Sequence, residues 1–104
     1  MSNSTMAPAT KIQDLKLIEK ISKAMGDKNR LAILLHITKK GGCAPCSEIH
    51  DVIDLTQPSV SHHVKILVEA GLIEAEKEGR NFKYTLNIKA LEVFSNFLEK
   101  LRND

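Results

Sequence analysis

Apolar residues recur at helical spacing through most of this chain, and at a spacing of two in one short stretch. Leu15, Ile18, Ile21 or Ser22, and Met25 mark a first helix started by Thr10 or Asp14, with Gly26 as its C′ residue. Asp27 has the chemistry of an N-cap for a second helix. Its face is read as Leu31, Leu34, Leu35 and Thr38, widened by Ile33 and Ile37. Apolar residues on so much of its circumference predict a helix covered on more than one side. Lys39 and Lys40 suit its negative C-terminal end, and Gly41-Gly42 stop it. Cys43-Ala44-Pro45-Cys46 reads as a connection into a short third helix whose core side is Ile49, Val52 and Ile53. Asp54-Leu55 make a turn, and Thr56 caps a fourth helix directing Val60, Val64, Leu67 and Val68 inward until Gly71.

Beyond Gly71 the period becomes two. Ile73 and Ala75 alternate with glutamates, and Phe82, Tyr84 and Leu86 alternate with Lys83 and Thr85. Glu78-Gly79-Arg80-Asn81 supplies the tip of a hairpin. A last helix, capped by Asn87, runs from about Ile88 to Leu101 with a stripe of Leu91, Phe94, Leu98 and Leu101, widened by Val93 and Phe97. The expected fold is mainly α with a small β-hairpin. Four helices, two strands and a helix make a winged helix-turn-helix over residues 11–104, preceded by a disordered tail at 1–10.

The chain has 104 residues, 42% hydrophobic and 27% charged, enough for one modest core. No apolar run approaches the ~20 residues needed to cross a bilayer. The opening residues lack an apolar signal region, so a cytoplasmic location is expected. The net charge of +2 conceals a gradient. Residues 11–40 carry eight basic and three acidic side chains, 41–55 carry three acids and no base, and 56–86 carry four of each. The helix-turn-helix and hairpin are therefore not a polycation, and a DNA-binding mode would rest on shape and base contacts.

With Val60 facing inward, Gln57, Pro58, Ser61 and His62 fall on or near the outer face of the fourth helix. Gln, Ser and His can reach base edges in a major groove. His63 and Lys65 are candidate phosphate contacts. The wide stripe of the last helix exceeds what one small core can cover. Pairing it with the first helix of a second copy would hide it, which predicts a homodimer reading two half-sites of a palindromic double-stranded operator.

Three stretches carry a family resemblance. Met25-Gly26-Asp27-Lys28-Asn29-Arg30-Leu31-Ala32-Ile33-Leu34 resembles the ALGDPTRLRIL opening of the ArsR/SmtB winged-helix repressors. Leu55 to Lys65 resembles that family's LSQSTVSHHLK recognition segment. Ala70-Gly71-Leu72-Ile73, with Glu78-Gly79-Arg80 and Tyr84, is similar to its wing. The resemblance implies a homodimeric transcriptional repressor that leaves DNA when it senses an inducer. It places Gln57, Pro58, Ser61 and His62 on the base-reading face, Ser59 close to the DNA backbone, and Arg80 at a minor-groove wing tip. Pro58 replaces a polar residue of many relatives and offers only apolar contact.

The inducer site is less defined. The family's last-helix metal site needs His and Asp, and neither occurs between Asn87 and Asn103. Its third-helix site uses Cys-x-Cys, whereas this chain has Cys43-x-x-Cys46. The pair could hold zinc or another soft metal or metalloid with His50, and His36 as a further ligand, or it could act as a redox dithiol, or be inert. A dithiol oxidoreductase would need a βαβ fold, so an enzyme is not expected. The alternative to a DNA-binding repressor is a winged-helix module that binds protein and has no DNA specificity of its own.

Overall fold

The computed structural model describes residues 12–53 and 57–103, and only the main chain of residues 12, 13, 57 and 58. The described elements are α1 (Ile12–Ala24), α2 (Lys28–Lys39), β1 (Cys43–Pro45), α3 (Cys46–Val52), α4 (Gln57–Glu69), β2 (Ile73–Glu78), β3 (Asn81–Leu86) and α5 (Ile88–Asn103). The expected tail at 1–10, the Thr10 start, the Asp54-Leu55 turn and the Thr56 cap lie outside the described residues. Asp14 sits in the first turn of α1, not at a cap.

Helix α1 buries Ile18, Ile21 and Ala24, while Leu15 is exposed. Ser22 faces out and its hydroxyl donates to the Ile18 carbonyl at 2.8 Å. Gly26 does not take the left-handed conformation expected of a C′ glycine. The helix instead unwinds through Met25 N–H to Ile21 O and Gly26 N–H to Lys23 O, at 2.9 and 3.2 Å. Asp27 then caps α2 as expected, its Oδ1 accepting from the N–H groups of Asn29 and Arg30 at 2.8 and 3.3 Å.

The face of α2 differs from the expected one. Ile33, Leu34 and Ile37 are buried, whereas Leu31 and Leu35 are 46% and 56% exposed and Thr38 faces solvent. Six apolar residues between positions 31 and 37 allow two overlapping stripes, and helical periodicity alone does not choose between them. The chain chooses by packing, since α3, α4, β1 and β3 all contact α2. Gly41 and Gly42 end this helix with φ of 83° and 98°, and Gly42 N–H bonds the Ile37 carbonyl at 2.9 Å.

Where a plain connection was expected, Cys43–Pro45 forms a third strand. It pairs antiparallel with β3, Cys43 opposite Thr85 and Ala44 opposite Tyr84, giving the order β1-β3-β2. A three-residue edge strand is too short to show alternation, and its Pro45 is tolerated only at an edge. Helix α3 buries Ile49, with Ile53 buried just past its end, and α4 buries Val60, Val64 and Leu67. Val68, expected inside, is exposed, and Ala70 is buried in that part of the core. Strand β2 pairs with β3 from Ile73–Leu86 to Glu78–Asn81, so the turn is the two residues Gly79-Arg80. Gly79 takes φ 64°, as primed hairpin turns require.

Asn87 ties the wing to α5. Its N–H bonds Leu72 O, its side-chain amide donates to Gly71 O, and its Oδ1 accepts from Ala90 N–H. Along α5 only Ala90 is buried among the described side chains; Leu91 and Phe94 are half-buried against the core. Ile88, Leu98 and Leu101 stand exposed.

The Asp27 cap has a pH signature. Partial desolvation pushes its carboxyl upward. The two cap N–H groups, then the electrostatic influence of His63 and Arg30, outweigh that, and the group lies below its ordinary value. A depressed carboxyl stabilises the fold above its unfolded pKa, and that contribution is lost as pH falls through the folded value. Asp27→Ala is expected to lower the urea midpoint at neutral pH by the equivalent of one helix cap. Asp27→Asn keeps the cap and flattens the acid loss, both read by urea unfolding across the acid range.

Candidate nucleic-acid interface

The helix-turn-helix is α3 and α4, and the inward residues of α4 dictate what its other side presents. With Val60, Val64 and Leu67 buried, Ser61, His62 and Lys65 are exposed. Of the outer face expected from the sequence, Ser61 and His62 are placed here as expected. Gln57 and Pro58 belong to the first turn of α4, but their side chains lie outside the described residues. Ser59 is half-buried at the edge of this face.

His63 is placed differently from its neighbour. Its side chain is 12% exposed, with Nδ1 3.2 Å from Arg30 Nη1 and 4.0 Å from Asp27 Oδ1. The rings of His62 and His63 lie 6.0 Å apart and tilted. In the sequence Arg30 is only one letter of a motif. In the structure it also donates from Nε to Ala24 O at 2.6 Å and from Nη2 to Lys23 O at 3.2 Å. The available signal was an arginine three residues after a capping aspartate, which does not reveal a partner 33 positions away.

Arg80 is exposed at the wing tip. Lys83 is held back on β3 by Glu78 at 3.3 Å and Glu76 at 3.8 Å. Its pKa is raised by the hydrogen bond and charge of Glu78, then by Glu76 and Cys43. Glu74, Glu76 and Glu78 leave β2 acidic and exposed, so the tip, not the flank of the wing, is suited to a polyanion.

The thiols sit beside this unit. Cys43 is exposed and accepts from the Thr85 hydroxyl, and Cys46 is half-buried and accepts from the Tyr84 hydroxyl, both at 3.5 Å. Burial first, then the hydrogen bond and charge of Cys46, push the Tyr84 hydroxyl well up, so it remains a donor. His36 is engaged elsewhere, its Nε2 2.8 Å from Glu48 Oε1. Among the described residues no three of His, Cys, Asp or Glu come together as a metal site. Cys43, Cys46 and His50 are therefore not gathered into one three-ligand cluster within the chain. The spacing also does not bring the sulfurs into position for a disulfide. Ala44 and Pro45 are extended, so a strand rise of ~3.3 Å per residue separates the two Cα atoms by about 10 Å, beyond the reach of a disulfide.

A helix-turn-helix with an exposed polar face on its second helix, followed by a hairpin with a basic tip, defines a winged-helix DNA-binding regulator. The comparisons agree with that class. A protein-family model described as a helix-turn-helix domain matches residues 25–76. An uncharacterised HTH-type transcriptional regulator of Methanocaldococcus jannaschii is 40% identical over 74 residues, covering 70% of this chain and 82% of the relative. An arsenical resistance operon repressor of Bacillus subtilis is 35% identical over 78 residues, covering 75% and 73%. The solution structure of a homodimeric winged helix-turn-helix DNA-binding domain from Mycobacterium bovis superposes with a TM-score of 0.67 at 20% identity, covering 99% of this chain and 88% of that one. The chain belongs to the ArsR/SmtB family of DNA-binding transcriptional repressors.

Proposed function

We propose that this chain represses transcription as a homodimer, placing one α4 helix in each of two successive major-groove half-sites of a palindromic operator. The observation that carries the reading is the outer face of α4, where Ser61, His62 and Lys65 are exposed opposite a buried Val60-Val64-Leu67 stripe. Ser61 and His62 read base edges, joined by Gln57 and Pro58 from the preceding turn. Ser59, His63 and Lys65 contact the DNA backbone, and Arg80 enters the minor groove. Dimerisation uses the exposed apolar residues of α5 together with α1, which packs beside it. The test is fluorescence anisotropy of the protein on DNA from its own upstream region and on unrelated duplex, across a salt titration. The expected result is a clear preference for the upstream DNA; equal binding to both at physiological salt overturns it.

The inducer acts at the Cys43–Cys46 segment. The two thiols accept hydrogen bonds from adjacent residues of β3, so any reagent that joins them must pull β1 away from the wing strand. With hydrogen peroxide, two thiols give up two electrons and two protons to form one disulfide and two waters. Because β1 leads directly into α3, its release disturbs the first half of the helix-turn-helix. Peroxide treatment is expected to weaken operator binding about 5- to 150-fold, the usual span of allosteric coupling. Dithiothreitol should restore it, and Cys43→Ser should abolish the response. Identical affinity for oxidised and reduced protein rules out this signal.

A further inference from the structure

We infer that Arg30 is a positioning residue of the DNA-binding surface: it fixes the tautomer and orientation of His63 so that the imidazole offers Nε2–H, as a neutral donor, to an operator phosphate. This rests on the operator reading above, in which His63 is a backbone contact.

The guanidinium has donors and no acceptor. Its Nη1 lies 3.2 Å from His63 Nδ1, so that nitrogen must supply the lone pair and the ring proton must reside on Nε2. Asp27 is the competing influence, because a carboxylate would favour a proton on Nδ1. At 4.0 Å its Oδ1 lies beyond hydrogen-bond distance from Nδ1, and that same oxygen already accepts two N–H groups of the α2 cap. Arg30 therefore decides the tautomer.

Arg30 is itself held in place. Its Nε and Nη2 bond the carbonyls of Ala24 and Lys23 at the C-terminal end of α1, the second of which also accepts from Gly26 N–H. One side chain of α2 thus joins the end of α1 to the recognition helix, and the fork geometry of its donors sets the direction of the imidazole. The ring is packed, with its side chain 12% exposed, so it is fixed before DNA arrives instead of searching rotamers. A fixed neutral N–H orients the protein on the backbone without counterion release, while the exposed Lys65 supplies the charge. Lysine at position 30 could not reproduce this, since one ammonium cannot span three acceptors on two helices.

The test uses the full-length protein labelled with 15N and long-range proton–nitrogen correlation of the histidine rings, with the His63 signals assigned from the His63→Gln spectrum. Wild-type protein is expected to show a protonated Nε2 and an unprotonated Nδ1, and Arg30→Gln and Arg30→Lys a mixture of tautomers. Operator affinity is expected to fall about tenfold in Arg30→Gln and in His63→Gln, with the double variant no weaker than either alone. Urea unfolding confirms that each variant is folded. A wild-type His63 protonated on Nδ1, or an unchanged tautomer in Arg30→Gln, overturns the inference. Strictly additive losses in the double variant overturn it as well. The ring spectrum is independent of DNA. A wild-type protein with no operator preference and the expected tautomer therefore sinks the operator reading and the phosphate contact, and leaves the positioning of His63 standing.

Discussion

His62→Ala is expected to weaken operator binding roughly 10- to 100-fold, with no measurable change in the urea midpoint. His62 is exposed on the outer face of α4 and its neighbours Val60 and Val64 carry the packing, so removing the ring leaves the core intact. A well-placed contact to a base edge discriminates by ~1–3 kcal/mol, which is the order of the expected loss. The loss should fall on the specific site and spare unrelated duplex, so the ratio of the two affinities drops. Lys65→Ala gives the contrasting pattern. Binding weakens on both DNAs, and the slope of log affinity against log salt falls by about 0.9 for each phosphate that is no longer neutralised. Anisotropy titrations at several salt concentrations separate the two. If His62→Ala weakens specific and nonspecific binding equally, His62 is not a base reader.

The parts of this surface legible in the sequence are those set by local rules. The inward stripe Val60-Val64-Leu67 has only one helical phase, and once it is fixed the outward positions of Ser61, His62 and Lys65 follow. Asp27 and Asn87 were readable as caps because a cap bonds to residues two or three positions away. Gly41 and Gly71 stop helices for an equally local reason, a positive φ. Where the sequence misled, the deciding partner was distant. Helix α2 offered two apolar stripes, and packing against α3, α4 and the sheet selected Ile33-Leu34-Ile37. The β1 strand exists because β3, about 40 residues later, accepts it as an edge partner. That one pairing also changes the chemistry. It extends the segment between the cysteines and gives each thiol a hydroxyl donor from β3. A Cys-x-x-Cys read from spacing alone carries no sign of that separation. The Arg30–His63 contact was hidden in the same way, by a separation of 33 residues that spans several intervening elements.

The largest effect is expected from the end of α5. Leu98 and Leu101 are 49% and 62% exposed, and among the described residues nothing covers these two leucines, which lie on a helix whose Ala90, Leu91 and Phe94 turn toward the core. Burying a leucine fully gains ~1.5–3 kcal/mol, and in a symmetric dimer each residue counts twice. The double variant Leu98→Glu, Leu101→Glu should therefore fold, since neither side chain supports the monomer core, and should sediment as a monomer where the parent sediments as a dimer. It adds two negative charges to each α5, so re-association also has to overcome like-charge repulsion. The consequence for DNA follows from linkage of the two half-sites. In the dimer the second α4 binds at a high effective concentration, and without the partner each half-site must bind on its own. The loss from removing such linkage is about 10²- to 10⁴-fold, larger than from deleting any one side chain on α4. Sedimentation equilibrium and anisotropy on the same samples test both halves. A variant that remains dimeric places the interface elsewhere. A monomer that binds the full operator as tightly as the parent shows that one winged helix suffices, and the palindromic reading then falls.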